Sequence, residues 1–205
     1  MAIKTCLFDM GNVLVHFSHS KMCRNIAAVC DSPEADVKTL LIDSGLQWQI
    51  ERGQITEQQF HAAFEQHLGK SVDFAGLKHA AADIFWLNES IVPLLQELKA
   101  LKLRLVLLSN TSITHLNFIQ DNFQVLGFFD DFTTSFEAGA LKPDAKIYEN
   151  ALARANCEPQ ECFYTDDIEE YVLKAASFGI NAEVYTQTDK TRQALQSLGV
   201  AVADN

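Results

Sequence analysis

The sequence predicts an α/β protein in which a parallel sheet lies between two layers of helices, with an α-helical cap inserted after the first strand. Three observations point there. Short apolar runs of β-branched or aromatic character recur along the chain, stretches of helical spacing separate them, and one long early interval carries helical spacing with no convincing strand.

The first run, Ile3 to Phe8 (IKTCLF), is continuous and apolar, as a strand buried on both faces requires. From about Ser18 to Asn88 the pattern reads as helices near Lys21 to Cys30, Glu34 to Ser44, Thr56 to Leu68 and Leu77 to Phe85, with Phe60 and Phe64 on one face of the third. Thr56 and Gln59 have capping-box spacing just after the turn signal Arg52-Gly53-Gln54. Strand-like runs return at Leu103 to Ser109, Cys162 to Thr165 and Ala182 to Tyr185. Helical spacing lies between them, as in Ile91, Leu94, Leu95 and Leu98, or Ile147, Leu152 and Ala155. The expected division is a core formed by residues 1–16 and 89–205 and a cap formed by residues 17–88. A cap placed there covers the carboxyl ends of the strands, where open α/β sheets bind ligands.

Bulk composition narrows the function. With 205 residues, 48% of them hydrophobic, the chain can bury a substantial core. Sixteen Lys and Arg against 27 Asp and Glu leave a formal charge of -11, which repels nucleic acid and attracts a divalent cation. The five cysteines, Cys6, Cys23, Cys30, Cys157 and Cys162, lack the paired short spacings of a zinc site and read as reduced, packed thiols of a cytoplasmic protein. No apolar run approaches the roughly 18 residues of a membrane span, and Asp9 interrupts the N-terminal one.

Four places can carry chemistry. Asp9 follows the first strand, and Gly11 lets backbone approach whatever sits beside it; Asp, Gly and Asn are also ordinary turn residues. Ser109, Asn110 and Thr111 close the second strand with a hydroxyl and free N–H groups suited to a phosphoryl oxygen, and a helix cap there would use the same residues. Lys142, before Pro143, is kept out of the following helix, which puts a cation at its start. Asp166 and Asp167 end another apolar strand, where oxygen-rich sites suit Mg²⁺; Asp167 with Glu170 also has capping-box spacing. In that order, all four would converge at one end of one sheet.

That order resembles the haloacid dehalogenase superfamily of aspartate-nucleophile phosphatases over nearly the whole chain. FDMGNVLV, LLSNT, GALKPDAKIY and FYTDD are similar to its four motifs. The resemblance implies a Rossmann-like core with a type 1 helical cap, and WQIERGQITEQQF resembles a bacterial subgroup that includes α-D-glucose-1-phosphate phosphatase. It further implies a small phosphorylated metabolite as substrate and Asp9 as the nucleophile that becomes an aspartyl-phosphate. Mg²⁺ would be held by Asp9, the Gly11 carbonyl and Asp167, with Asp166 a further ligand or an orienter. Ser109 and Lys142 would bind phosphoryl oxygens, with Asn12, Asn110, Thr111 and the cap residue Arg52 as further substrate contacts. Trp48 and Phe17 are additional cap candidates. The oligomer is expected to be a monomer or homodimer.

The departure from the family pattern is Gly11, where these phosphatases commonly carry a second aspartate that protonates the leaving oxygen and then activates water. General acid–base help is worth about 10² to 10⁴ in rate, so its loss favours leaving groups that depart unaided, such as an anomeric sugar oxygen. It also predicts slowed hydrolysis of the aspartyl-phosphate and a burst of leaving group. His16 is a replacement acid on paper or a residue starting a cap helix with His19 one turn on, and Tyr171 stands where relatives often have a small polar side chain. Arg52 has an alternative as a surface partner of Glu51 or Glu57. Dehalogenase chemistry has no need of Asp166 and Asp167, an imine-forming phosphonate site would require Lys21 or Lys38, and a non-catalytic phosphate-binding protein would keep the fold alone.

Overall fold

The computed structural model describes residues 1–203. Its elements in chain order are β1 (Thr5–Phe8), β2 (Val15–Phe17), α1 (His19–Cys30), α2 (Glu34–Lys38), α3 (Leu46–Glu51), α4 (Glu57–Leu68), α5 (Phe74–Ala82), β3 (Phe85–Leu87) and α6 (Ile91–Ala100). There follow β4 (Arg104–Ser109), α7 (Ile113–Asn122), β5 (Asp131–Thr134), α8 (Ser135–Ala138), α9 (Ala145–Ala155), β6 (Cys162–Asp166), α10 (Glu169–Ser177), β7 (Asn181–Val184) and α11 (Thr188–Ser197). A parallel sheet in the order β5-β4-β1-β6-β7 forms the centre of a Rossmann-like α/β fold.

Alternation along the strands builds the three layers. Cys6, Phe8, Leu105 and Leu107 face one way and pack on Ile91, Leu94, Leu95 and Leu98 of α6, all four fully buried. Leu7, Val106, Leu108 and Tyr164 face the other way onto Ile147, Tyr148 and Ala151 of α9. Each fully buried Leu or Ile stabilises the fold by roughly 1.5–3 kcal/mol relative to an exposed one, so the sheet is anchored from both sides. Strand register then fixes which residues stand at its carboxyl edge: Phe8 is level with Leu107 and Thr165, so Asp9, Ser109 and Asp166 emerge together.

The inserted helices have an apolar cluster of their own, built from Met22 and Ile26 of α1, Leu41, Phe60 and Phe64 of α4, and Leu77 of α5. Ser18 caps α1, its side chain accepting the Lys21 N–H. Asp73 caps α5 in the same manner through Gly76. Thr56 and Gln59 form the expected box in both directions, at 3.2 and 2.9 Å.

Several expectations need correction. The interval taken as strandless holds β3, which pairs antiparallel with β2; three half-exposed residues beside a helix carry no period of their own. That two-stranded ribbon brackets the helical insertion. The helix expected to reach Phe85 ends at Ala82, and the one expected over Glu34 to Ser44 changes to a wider turn at Thr39–Asp43. Asp167 does not cap α10: the cap position is Ile168, whose N–H donates to Asp166 Oδ1 at 2.8 Å. Strand β5 and helix α3 were not anticipated. Among the described residues, no helix is long and apolar enough to cross a membrane.

Candidate active site

Asp9 leaves β1 at the middle of the sheet. Its N–H donates to the Thr165 carbonyl at 3.0 Å, extending the β1–β6 ladder by one residue and fixing where the carboxylate departs. Lys142 reaches the same point from the loop between α8 and α9 and is 3% exposed. Its Nζ donates to Asp9 Oδ1 at 2.7 Å, Asp166 Oδ2 at 2.6 Å and the Leu108 carbonyl at 3.1 Å. The Tyr164 hydroxyl donates to the same Asp166 oxygen. Asn110 clamps the lysine's own peptide: its Oδ1 accepts the Lys142 N–H at 2.7 Å and its Nδ2 donates to the Lys142 carbonyl at 3.2 Å. The Lys142–Pro143 bond is cis.

The electrostatics follow from burial and from one cation shared among acids. Burial pushes the Asp9 carboxyl up to about 7, against the pull of Lys142, and the charge on Asp166 adds to the rise. Burial alone would lower the Lys142 ammonium, but the carboxylates of Asp9 and Asp166 override it and hold the ammonium above the usual lysine value. Ligand oxygens of Asp9, Asp166 and Asp167 lie within 4.8 Å of one another. Three carboxylates around one ammonium leave excess negative charge, and a hard divalent cation with oxygen ligands fits that donor set.

Asp9, Gly11, Asn12 and Ser109 line one chamber of about 190 Å³, together with Asn110, Thr111, Lys142 and Asp167. Asp166 sits behind Lys142, fully buried. Tyr171 is on the chamber wall with its ring centre 5.2 Å from Lys142 Nζ, a cation–π contact that covers the lysine.

Some side chains do other work than expected. The Asn12 amide donates to Asp167 Oδ2 at 2.9 Å, so it orients that acid. The Asn110 side-chain amide is engaged by the Lys142 peptide and the Thr111 N–H donates to Ser135 Oγ at 2.9 Å, although both residues line the chamber. Ser112 is the residue that caps α7. Arg52 lies off the chamber wall, 3.9 Å from Asp144; Glu51 is turned inward and Glu57 is held by Lys78, so neither pairs with it. His16 sits on β2 beside Trp86 and outside the chamber, whereas His19, opening α1, lines it.

The roof is aromatic and mostly from the insertion: Phe17, Trp48, Ile84 and Phe85, with Glu51 and His19 among them. Sequence reasoning missed Glu51, His19 and His115 as wall residues. A signal existed for the first: Gln47 and Glu51 are spaced i, i+4 on the face of α3 that buries Leu46 and Ile50. Ser135 was missed as well. Its hydroxyl, at the start of α8, donates to the Glu51 main-chain carbonyl at 2.6 Å and accepts the Thr111 N–H, stapling the inserted segment to the loop after β4. The adjoining turn is pressed onto α8, where a Cβ on Gly53 would lie 2.3 Å from the Phe136 carbonyl oxygen.

Comparison with known proteins agrees with this geometry. The chain is 26% identical over 155 residues to flavin mononucleotide hydrolase 1 of Arabidopsis thaliana, covering 76% of this chain and 62% of that protein. It is 32% identical over 84 residues to glyceraldehyde 3-phosphate phosphatase of Methanothermobacter thermautotrophicus, covering 38% of this chain and 37% of that one. This chain thus spans less than two thirds of either curated relative. Among solved structures, a HAD family enzyme of Bacteroides thetaiotaomicron superposes with a TM-score of 0.80 at 26% identity, covering 91% of this chain and 95% of that one. The same enzyme in complex with magnesium and inorganic phosphate gives 0.78 at 25% identity, covering 91% and 96%. Residues 3–179 match the model of haloacid dehalogenase-like hydrolases, and the chain belongs to that family.

Proposed function

We propose that this protein is a Mg²⁺-dependent phosphatase of small phosphomonoesters that works through an aspartyl-phosphate on Asp9. The observation that carries the reading is the convergence of three carboxylates and one buried lysine at the floor of a single chamber. Phosphoryl transfer asks for in-line positioning and for neutralised charge, more than for elaborate covalent chemistry. Asp9 is the nucleophile. Lys142, with the Ser109 hydroxyl beside it, holds the transferring oxygens. Asp9, the Gly11 carbonyl and Asp167 are the residues that would hold Mg²⁺, which supplies charge neutralisation when bound. Both Asp166 oxygens already accept hydrogen bonds, which suits positioning of Lys142 better than direct ligation.

Residues 17–88 act in this reading as the cap that selects the leaving group, and a sugar phosphate of the glucose 1-phosphate type is the favoured substrate. The support is the motif WQIERGQITEQQF of the inserted segment. A flavin mononucleotide hydrolase and a glyceraldehyde 3-phosphate phosphatase among the relatives accord with phosphomonoester chemistry. The thiols, none in a disulfide among the described residues, suit the cytoplasm.

A panel of phosphorylated metabolites assayed for phosphate release with and without Mg²⁺ tests the reading. Metal-dependent turnover that vanishes in Asp9→Asn supports it. Turnover that survives that substitution, or none on any phosphomonoester, overturns it.

A further inference from the structure

Position 11 is occupied by something other than an acid. A Cβ built on Gly11 would lie 2.9 Å from Phe17 Cε1, so the Phe17 ring fills the space into which a side chain there would project. The ring is held by its neighbours, with His19 at 5.0 Å and Phe85 at 6.2 Å between ring centres. A group that donates a proton to the leaving oxygen must therefore come from elsewhere on the wall.

Most candidates are already committed. Asp9, Asp167 and Lys142 make up the charged floor. Burial pushes the Tyr171 hydroxyl up, so it keeps its proton. Burial pushes His19 down, and it pushes His115 down to about 4, so neither holds a spare proton near neutrality. His115 Nε2 is also tied to the Ala81 carbonyl at 3.2 Å.

Glu51 differs from all of these. It is the last residue of α3, on the chamber wall and 8% exposed. Gln47 Nε2 donates to its Oε1 at 2.7 Å. Among the described residues its Oε2 has no protein partner, and no Lys, Arg or His is paired with the carboxyl. Its backbone is fixed over the core by the Ser135 staple and the close packing of Gly53. On the helices α4 and α8 that pack against α3, Glu57 is engaged by Lys78 and Thr114, His61 lies 3.8 Å from Glu65, and Glu137 lies against Arg154. Burial without a counter-cation pushes the Glu51 carboxyl up to about 7. A carboxyl in that range can give a proton in one half-reaction and take one in the next.

We propose that Glu51, carried on the inserted helical segment, is the proton-transferring catalytic residue of this chamber and supplies the role for which Gly11 has no side chain. The proposal rests on the aspartyl-phosphate reading above. In the first step an Asp9 oxygen bonds to phosphorus, the ester P–O bond breaks, and the departing oxygen keeps the electron pair and takes the Glu51 proton. In the second, water attacks the same phosphorus and gives a proton to the Glu51 carboxylate. The bond to Asp9 breaks with its electron pair returning to that carboxylate, and Glu51 ends protonated as it began.

Glu51→Gln keeps the shape and the Gln47 contact but cannot exchange the proton. With Mg²⁺ present, kcat on an alkyl phosphate such as glycerol phosphate is expected to fall by about 10²- to 10⁴-fold. With p-nitrophenyl phosphate, whose leaving group needs no proton, aspartyl-phosphate formation stays near the wild-type rate and rapid-quench traces gain a burst; the wild type starts linearly. Glu51→Asp, retaining a carboxyl, recovers part of the alkyl activity. A Glu51→Gln kcat within threefold of wild type on both substrates overturns the proposal, as does a raised KM alone on hydroxyl-rich substrates, which marks a binding role. In either case wild-type turnover and its loss in Asp9→Asn leave the aspartyl-phosphate reading standing. A wild type inactive on both substrates removes that reading, and Glu51's role goes with it.

Discussion

The floor and the roof of the chamber treat a buried carboxylate in opposite ways. On the floor, Asp9 and Asp166 are held by one lysine at 2.7 and 2.6 Å, and each side chain arrives from a different segment at the sheet edge. On the roof, Glu51 has an amide for company and, among the described residues, no cation. On the floor one ammonium is shared by two of three clustered carboxylates, which leaves an excess of negative charge suited to a cation. The roof carries an acid whose charge nothing compensates, so its environment favours the proton. In the proposed reading, rigid charge suits phosphoryl binding and a carboxyl that titrates near 7 suits proton transfer, so the two environments divide the labour.

The sharpest way to break this contrast is at Lys142. Lys142→Met leaves two acids buried without their counter-charge, and breaking such a pair costs about 3–5 kcal/mol. Urea denaturation should register that loss, with activity falling by roughly 10²–10³ as for removal of a preorganised transition-state donor. A stability loss under about 1 kcal/mol would mean that Asp9 and Asp166 are less dependent on the lysine than their burial implies.

Glu51→Gln should act in the reverse direction on stability. The folded Glu51 titrates near 7 against an ordinary value of 4.5, so folding holds its proton more tightly than the unfolded chain does. The stability this group allows is fully present below about 4.5 and is lost as pH rises through about 7. Replacing it by glutamine should therefore stabilise the protein at pH 8 by up to about 3 kcal/mol and change little at pH 4.5. Thermal melts of the two proteins at both pH values measure this; equal shifts at the two would show that Glu51 is solvated. A stabilising loss of a functional acid is the trade-off expected where function stores strain.

In the proposed reading Mg²⁺ is held by floor residues. Mg²⁺ at about 100 times its Kd should raise stability by about 2.7 kcal/mol, since a ligand that binds the folded state stabilises it by mass action. Asp167→Asn should abolish most of that rise while leaving the metal-free melt close to wild type, because Asp167 makes one side-chain hydrogen bond, from Asn12. An undiminished Mg²⁺ response in the variant would remove Asp167 from the ligand set.

The same contrast explains what the sequence could disclose. Floor residues were legible because each follows a strand or precedes a proline, so local pattern and chain order place them: Asp9 after IKTCLF, Lys142 before Pro143, Asp166 and Asp167 after CFYT. Their individual duties were less so. Asn110 and Thr111 looked like anion contacts, yet the Lys142 backbone, 32 residues away, engages the Asn110 side chain and Ser135 accepts the Thr111 N–H. The edge strand β5, DFTT, is short and mostly polar, and β3 is three residues long; neither carries enough alternation to announce itself. Glu51 was harder to read: its i, i+4 spacing from Gln47 marks a helix face, but its place on the chamber wall is set by tertiary packing of α3.

The smallest effect, and the one that joins the two regions, lies at Gly11 and Phe17. Gly11→Asp alone drives a side chain into the Phe17 ring, and overpacking of this kind costs about 1–3 kcal/mol. Adding Phe17→Leu removes the ring edge that stands 2.9 Å from the new Cβ, so the double variant should recover most of the lost stability. That pair then tests the division of labour directly, since it installs an acid on the floor. Combined with Glu51→Gln, it should restore part of the turnover on glycerol phosphate that Glu51→Gln alone loses, because a proton donor is again within the chamber. If the triple variant is folded by its melt yet no more active than Glu51→Gln, the proton cannot be supplied from position 11 in this chain, and the roof is the sole side from which the leaving oxygen can be reached.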